Sequence, residues 1–156
     1  MKEFELINKW AQDRNLIKGS NTGAQMLKLY EEFGELTGGI ARGKNDVIKD
    51  SVGDVVVVLT ILAKQSGFNI RKGPSMSMPE DVNKIICQTG KYIGDLANSV
   101  KVGDGKVKNH IPFIMGSLQF LCGVIEVDFD KCVRAAYNEI KDRKGKMVKG
   151  VFVKEK

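Results

Sequence analysis

Apolar residues recur along this chain at helical spacing and only briefly at the two-residue spacing of strands. Over residues 3–13, Phe4, Ile7, Trp10 and Ala11 share one face, which predicts an amphipathic first helix. From about Asn21 to Arg42, Met26, Leu29, Tyr30, Phe33, Leu36 and Ile40 fall within one arc of a helical wheel, and "RGKN" stops the pattern. Residues 45–66 continue it, with Asn45 and Asp46 as cap candidates and Gly67 as the end. The two helices form a hairpin over 21–67.

"GDVVVVLTIL" is the contested stretch, because four consecutive valines have strand propensity. The apolar pattern nonetheless runs back through Val52, Ile48 and Val47 and on to Ala63, about five turns, so a helix at the buried centre of a bundle is expected. After the loop "GFNIRKGPSMSMP", Pro79 suits the first turn of a helix running to about Val100. "VGDGKVKN" is a turn-rich connection, and 111–125 and 129–143 predict two more helices, the latter with Asp128 as cap. The tail past Gly145 has some strand character. The fold class expected is all-α: one helical-bundle domain over 1–156.

Sliding the chain by 60 residues lays "FGELTGGIARGKNDV" on "IGDLANSVKVGDGKV", with Gly34 on Gly94, Leu36 on Leu96, Ile40 on Val100 and Val47 on Val107. Residues 80–127 are therefore a candidate degenerate repeat of the first hairpin, alongside the alternative of two unrelated amphipathic hairpins. Glu31, Glu32, Asp50 and Asp54 fall opposite Lys91, Tyr92, His110 and Ile114, so only the first copy carries the acids.

The composition, 42% hydrophobic and 28% charged, is that of an ordinary globular chain. Its longest apolar run, Val55 to Ala63, is far below the ~20 residues of a membrane-spanning helix, and the charged, amphipathic start is not a signal peptide. A cytoplasmic location and no membrane partner are expected. Cys87, Cys122 and Cys132 form no CxxC pair and His110 is the single histidine, which leaves no zinc spacing; buried free thiols are the expected use. The net charge of +6 is concentrated in residues 141–156, which carry +5. That segment, with the last helix, is the C-terminal unit over 128–156.

Against this basicity, Glu31, Glu32 and Glu35 cluster on one helix and Asp50 and Asp54 on the next. At 100° per residue, Glu32, Lys28, Glu35 and Glu31 span about 100° beside Leu36 and Leu29, and the two aspartates are about 40° apart on the stripe of Val57 and Ile61. Like charges bordering an apolar face repel one another and bear a desolvation cost unless a cation sits among them. An all-oxygen site suits Mg²⁺, with Mn²⁺ as substitute. The alternative is a solvated surface on which the acids pair with Lys28, Lys44 and Lys49.

"EEFGEL" followed by "DSVGDVVVVL" resembles the signature of the MazG-like all-α nucleoside triphosphate pyrophosphohydrolases, in which an EExxE helix faces an ExxD helix. "AAYNEIKDRKGKMVKGVF" resembles the tail of phage and bacterial members. The similarity covers roughly 24–67 and 128–153. The chain departs from the pattern at Ser51, where the family usually has an acid; Asp50 stands one place earlier on the same face. The resemblance implies a bundle assembled as a homo-oligomer, dimer or larger such as a tetramer, that hydrolyses NTPs or dNTPs to monophosphate and pyrophosphate. It implies Glu32, Glu35 and Asp54, with Asp50, as metal ligands, and Glu31 as an outer ligand or the base that activates water. Outer phosphates would then need positive charge and hydrogen-bond donors, for which Lys28, Lys141, Arg143 and Lys144, with the amide of Asn138, are candidates. The rival reading is a basic helical protein that binds nucleic acid through 141–156, without an aromatic platform or reading motif and with the acids unexplained. A purely structural oligomer is a third. An EF-hand at "DFDKCVRAAYNE" fails because Val133 stands where the loop needs glycine.

Overall fold

A computed structural model describes residues 1–155, so the last position of the basic segment, 156, lies outside the described residues. Among these the chain forms seven helices and one β-hairpin: α1 (Lys2–Asp13), α2 (Leu16–Gly19), α3 (Thr22–Ala41), α4 (Asn45–Gln65), α5 (Val82–Val102), α6 (Val107–Val124), α7 (Phe129–Ile140), β1 (Gly145–Val148) and β2 (Val151–Lys154). The protein is all-α apart from that hairpin, whose strands pair antiparallel with Met147 opposite Phe152.

The valine run is helical and central. Every residue from Val55 to Ala63 is buried, and α4 packs against α1, α2, α3, α6 and α7. A helix surrounded on all sides has no polar face to keep, which is why burial outranks the modest helix cost of β-branched residues. At Gly53 the crossing with α7 is closest: a Cβ would meet the Cys132 carbonyl oxygen at 2.6 Å and the Ala136 Cβ at 2.7 Å. The approach of α7 places its outer face beside the acids of α4.

The helix ends depart from the expected ones in several places. Asn21 does cap α3, its Oδ1 accepting from the Ala24 amide at 2.9 Å, and Asp128 caps α7 through the Lys131 amide at 3.0 Å. Neither Asn45 nor Asp46 caps α4: Lys44 precedes the first turn and no side chain closes it. Pro79 is not in a helix, because Asp81 accepts from the Lys84 amide at 3.1 Å and starts α5 at Val82. Helix α6 begins four residues ahead of the expected 111 and carries Pro112 within it. Its start is set by Asp104, which accepts from both Ser99 Oγ and the Lys106 amide. Helix α7 stops at Ile140 rather than 143, and a short helix, α2, follows Asn15 in the left-handed region (φ 57°). Cys87 is exposed, since it lies on the outer face of α5, whereas Cys122 and Cys132 are buried.

Helices α5 and α6 pair as a second hairpin, which meets the first through α3 with α5 and α4 with α6. Buried Thr89 and Ser117 hydroxyls bond to each other across it, and Thr89 donates to the Ile85 carbonyl at 2.8 Å. No single helix among the described residues is long and apolar enough to cross a membrane.

Candidate active site

Glu32 and Asp54 face each other where α3 meets α4. Glu32 is 8% exposed although it is charged, and Asp54 is half-buried between Val57 and the neighbouring helices. Both line a cleft of about 250 Å³, together with Lys28 of α3, Trp10 of α1, Leu16 of α2, and Arg143, Met147 and Phe152 beyond α7. Burial and the nearby charges of Glu32, Asp50 and Glu139 push Asp54 up to about 7, with Arg143 pulling it partly back. Asp50 is raised by burial and by Glu139, again opposed by Arg143. Four carboxylates therefore act on one spot.

The cations are disposed around them. Lys28 Nζ lies 2.8 Å from Glu31 Oε2 and 3.0 Å from Glu32 Oε1. Desolvation opposes its charge, and the hydrogen bonds to both glutamates more than offset that, raising its pKa overall. Arg143 pairs with Glu139, one turn back at the end of α7. Lysine and arginine thus both line the cleft, each with a proton donor aimed at a carboxylate.

The sequence-selected residues separate into two groups. Lys28, Glu32, Asp54 and Arg143 come together in the cleft. Asp50 couples electrostatically to Asp54 but lines a neighbouring groove with Asp46, Lys49, Asp128 and Lys131. Glu31 is exposed at the rim and joined only through Lys28. Glu35, Asn138, Lys141 and Lys144 are exposed and outside the cleft lining. Among the described residues no three His, Cys, Asp or Glu side chains stand in an arrangement that could hold a metal ion as placed.

Two contributors escape the sequence patterns. Glu139 reaches Asp50 and Asp54 from a helix 85 to 89 positions away, and no motif links them. Arg14, just past α1, donates from Nε to the Arg143 carbonyl at 2.6 Å and from Nη2 to the Lys141 carbonyl at 3.2 Å. Its own carbonyl accepts from the Met147 amide at 2.8 Å. A glutamate two residues before a run of lysines and arginines, in a helix packed on the one bearing the aspartate pair, is the one signal that would have found the first.

No family model matches the chain, and no solved structure matches it. It is similar to an uncharacterised 18.2 kDa protein encoded in the rep–hol intergenic region of Haemophilus phage HP1 (strain HP1c1), 58% identical over 60 residues. The relative is a phage protein. The aligned stretch spans 38% of this chain and 37% of that protein, whose name gives a genome position and no activity.

Proposed function

We propose that this protein hydrolyses nucleoside or deoxynucleoside triphosphates to the monophosphate and pyrophosphate. The observation that carries the reading is Asp54, half-buried and raised to about 7 by burial and by three neighbouring carboxylates, in a cleft that Lys28 and Arg143 also line. Perturbed titration of an acid in a cleft, with like charges beside it, supports a functional site there. The resemblance of "EEFGEL" and "DSVGDVVVVL" to the MazG-like signature points the same way.

The donor set fits a hard divalent cation, because it is all carboxylate oxygen and carries more negative charge than Lys28 and Arg143 neutralise. Glu32 and Asp54, with Asp50 beside them, would hold Mg²⁺ or Mn²⁺; when bound, the ion supplies charge neutralisation on phosphate oxygens and lowers the pKa of a bound water. The protein's own groups do the rest. Lys28 and Arg143 exchange their carboxylate partners for phosphate oxygens, a charge-assisted contact of similar strength. A rim carboxylate, Glu31 in this reading, accepts the proton of the attacking water. Water adds at the α-phosphorus, the bond from that phosphorus to the bridging oxygen breaks, and pyrophosphate leaves with the bonding electrons.

The test is a panel of NTPs and dNTPs with Mg²⁺, with pyrophosphate and orthophosphate detected separately. Pyrophosphate should be the product, EDTA should abolish its release, and Asp54→Asn should lower kcat by about 100-fold or more, the scale of losing one electrostatic group at a reacting centre. Orthophosphate alone, or an Asp54→Asn enzyme at wild-type rate, refutes the proposal.

A further inference from the structure

The cleft has two chemically different ends. Lys28, Glu32, Asp54 and Arg143 make one end polar, and phosphate chemistry accounts for them. The other end is formed by Trp10, Leu16, Met147 and Phe152, with the buried amide of Gln25 at its edge. A triphosphate gains nothing from this second wall, because apolar surface stabilises only what it removes from water.

We infer that the aromatic end seats the nucleobase, with Trp10 and Phe152 as its walls, Gln25 reading its edge, and Arg14 as the positioning residue that holds the walls together. This rests on the nucleotide reading given above. Three observations carry it. Trp10 lines the cleft with Phe152, and its buried Nε1 has no acceptor, so the indole is held there by packing and not by a hydrogen bond of its own. Gln25 is 5% exposed, and its amide nitrogen donates to Ser20 Oγ at 3.1 Å, which fixes its orientation at the cleft edge. Arg14 lies with its guanidinium carbon 5.2 Å from the Trp10 ring centroid, while the same group grips the carbonyls of Lys141 and Arg143. One side chain therefore joins the indole to the segment bearing Arg143 and leading into β1. The Asn15 side chain adds a bond to the Met147 carbonyl at 3.2 Å. This junction ties Trp10 to the segment that carries Arg143, while helix α3 carries Gln25 together with Lys28 and Glu32.

Trp10 is the single tryptophan of the chain, so its fluorescence reports this wall alone. Titration in EDTA with nucleoside triphosphates, nucleosides and inorganic tripolyphosphate should show quenching by the first two and none by tripolyphosphate. Phe152→Ala should weaken nucleotide binding about 10-fold, the low end of base-stacking effects, and leave tripolyphosphate affinity unchanged. Gln25→Ala should alter the ranking among bases, and Arg14→Lys should weaken nucleotides more than tripolyphosphate, with circular dichroism unchanged. Quenching by tripolyphosphate equal to that by nucleotides, or Phe152→Ala weakening both ligands alike, overturns the assignment. Pyrophosphate release with no base-dependent quenching would leave the hydrolase standing and remove the seat; nucleoside quenching without hydrolysis would do the reverse.

Discussion

The electrostatics of Asp54 reach beyond the cleft to the stability of the whole fold. Its ordinary value is 3.8 and its folded value about 7, so the folded protein holds this proton more tightly than the unfolded chain does. The stability that the protonated acid contributes is complete below about pH 4 and is lost as pH rises through 7. Asp50 shifts in the same direction. In EDTA the melting temperature of the wild type should therefore fall, relative to Asp54→Asn, between pH 4 and 7, and Mg²⁺ should recover it by binding the ionised form. Parallel pH curves for the two proteins would show that Asp54 is not perturbed. The thiols give a second check at this scale. Burial pushes Cys122 up to about 12 and raises Cys132, whereas Cys87 is exposed. A thiol reagent should label one cysteine per native chain and three after unfolding; fast labelling of two or more in the native state would contradict the packing of α6 and α7.

Among the elements, α4 is the one whose surroundings leave least slack. Gly53→Ala adds a methyl where the Cys132 carbonyl and Ala136 already sit at 2.6 and 2.7 Å. Overpacking of this kind costs about 1–3 kcal/mol, more than the roughly 1 kcal/mol of helix propensity that alanine offers over glycine. Urea denaturation should show a net loss of stability, and a variant as stable as the wild type would mean that α7 is free to move. Helices α3 and α4 were legible from the sequence because their apolar stripes are long, and the pairing of Glu32 with Asp54 followed from those stripes. What stayed hidden depends on contacts between distant segments. Asn15 turns the chain through a left-handed residue into a helix of one turn, too short to show periodicity. Asp104 starts α6 inside the stretch whose glycines and polar residues read as a turn. Arg14 and Glu139 belong to the site through partners more than 80 positions away, where spacing carries no signal. Glu35 differs in the opposite sense: its place in the acidic motif was plain, yet it stands exposed and outside the cleft lining.

At the scale of the molecule, two helical hairpins stand side by side and only one bears the acids. Helices α3 and α5 begin 60 residues apart, at Thr22 and Val82, the offset at which the sequence aligns with itself. Opposite Asp54 stands Ile114, fully buried, and opposite Glu35 stands Asp95, paired with Lys91 at 2.7 Å. The second hairpin is built to pack and has no cleft acids to bind with. A non-hydrolysable dNTP analogue in Mg²⁺ should accordingly titrate to one site per chain by calorimetry, and two sites would rule this out. Superposition of 25–63 on 85–123 in an experimental structure is the companion test of duplication. The junction at Arg14 sets a further condition, one that concerns how the protein is made. Asn15 and Met147 touch across 132 positions of chain, so the acids of α3 and α4 leave the ribosome long before the arginine and the aromatic wall that complete their cleft. A stalled or proteolysed product ending near residue 140 would carry Lys28, Glu32 and Asp54 but lack Arg143, Met147 and Phe152. If the cleft takes triphosphates as proposed, only a chain translated through the hairpin carries its complete lining, and fragments would be silent.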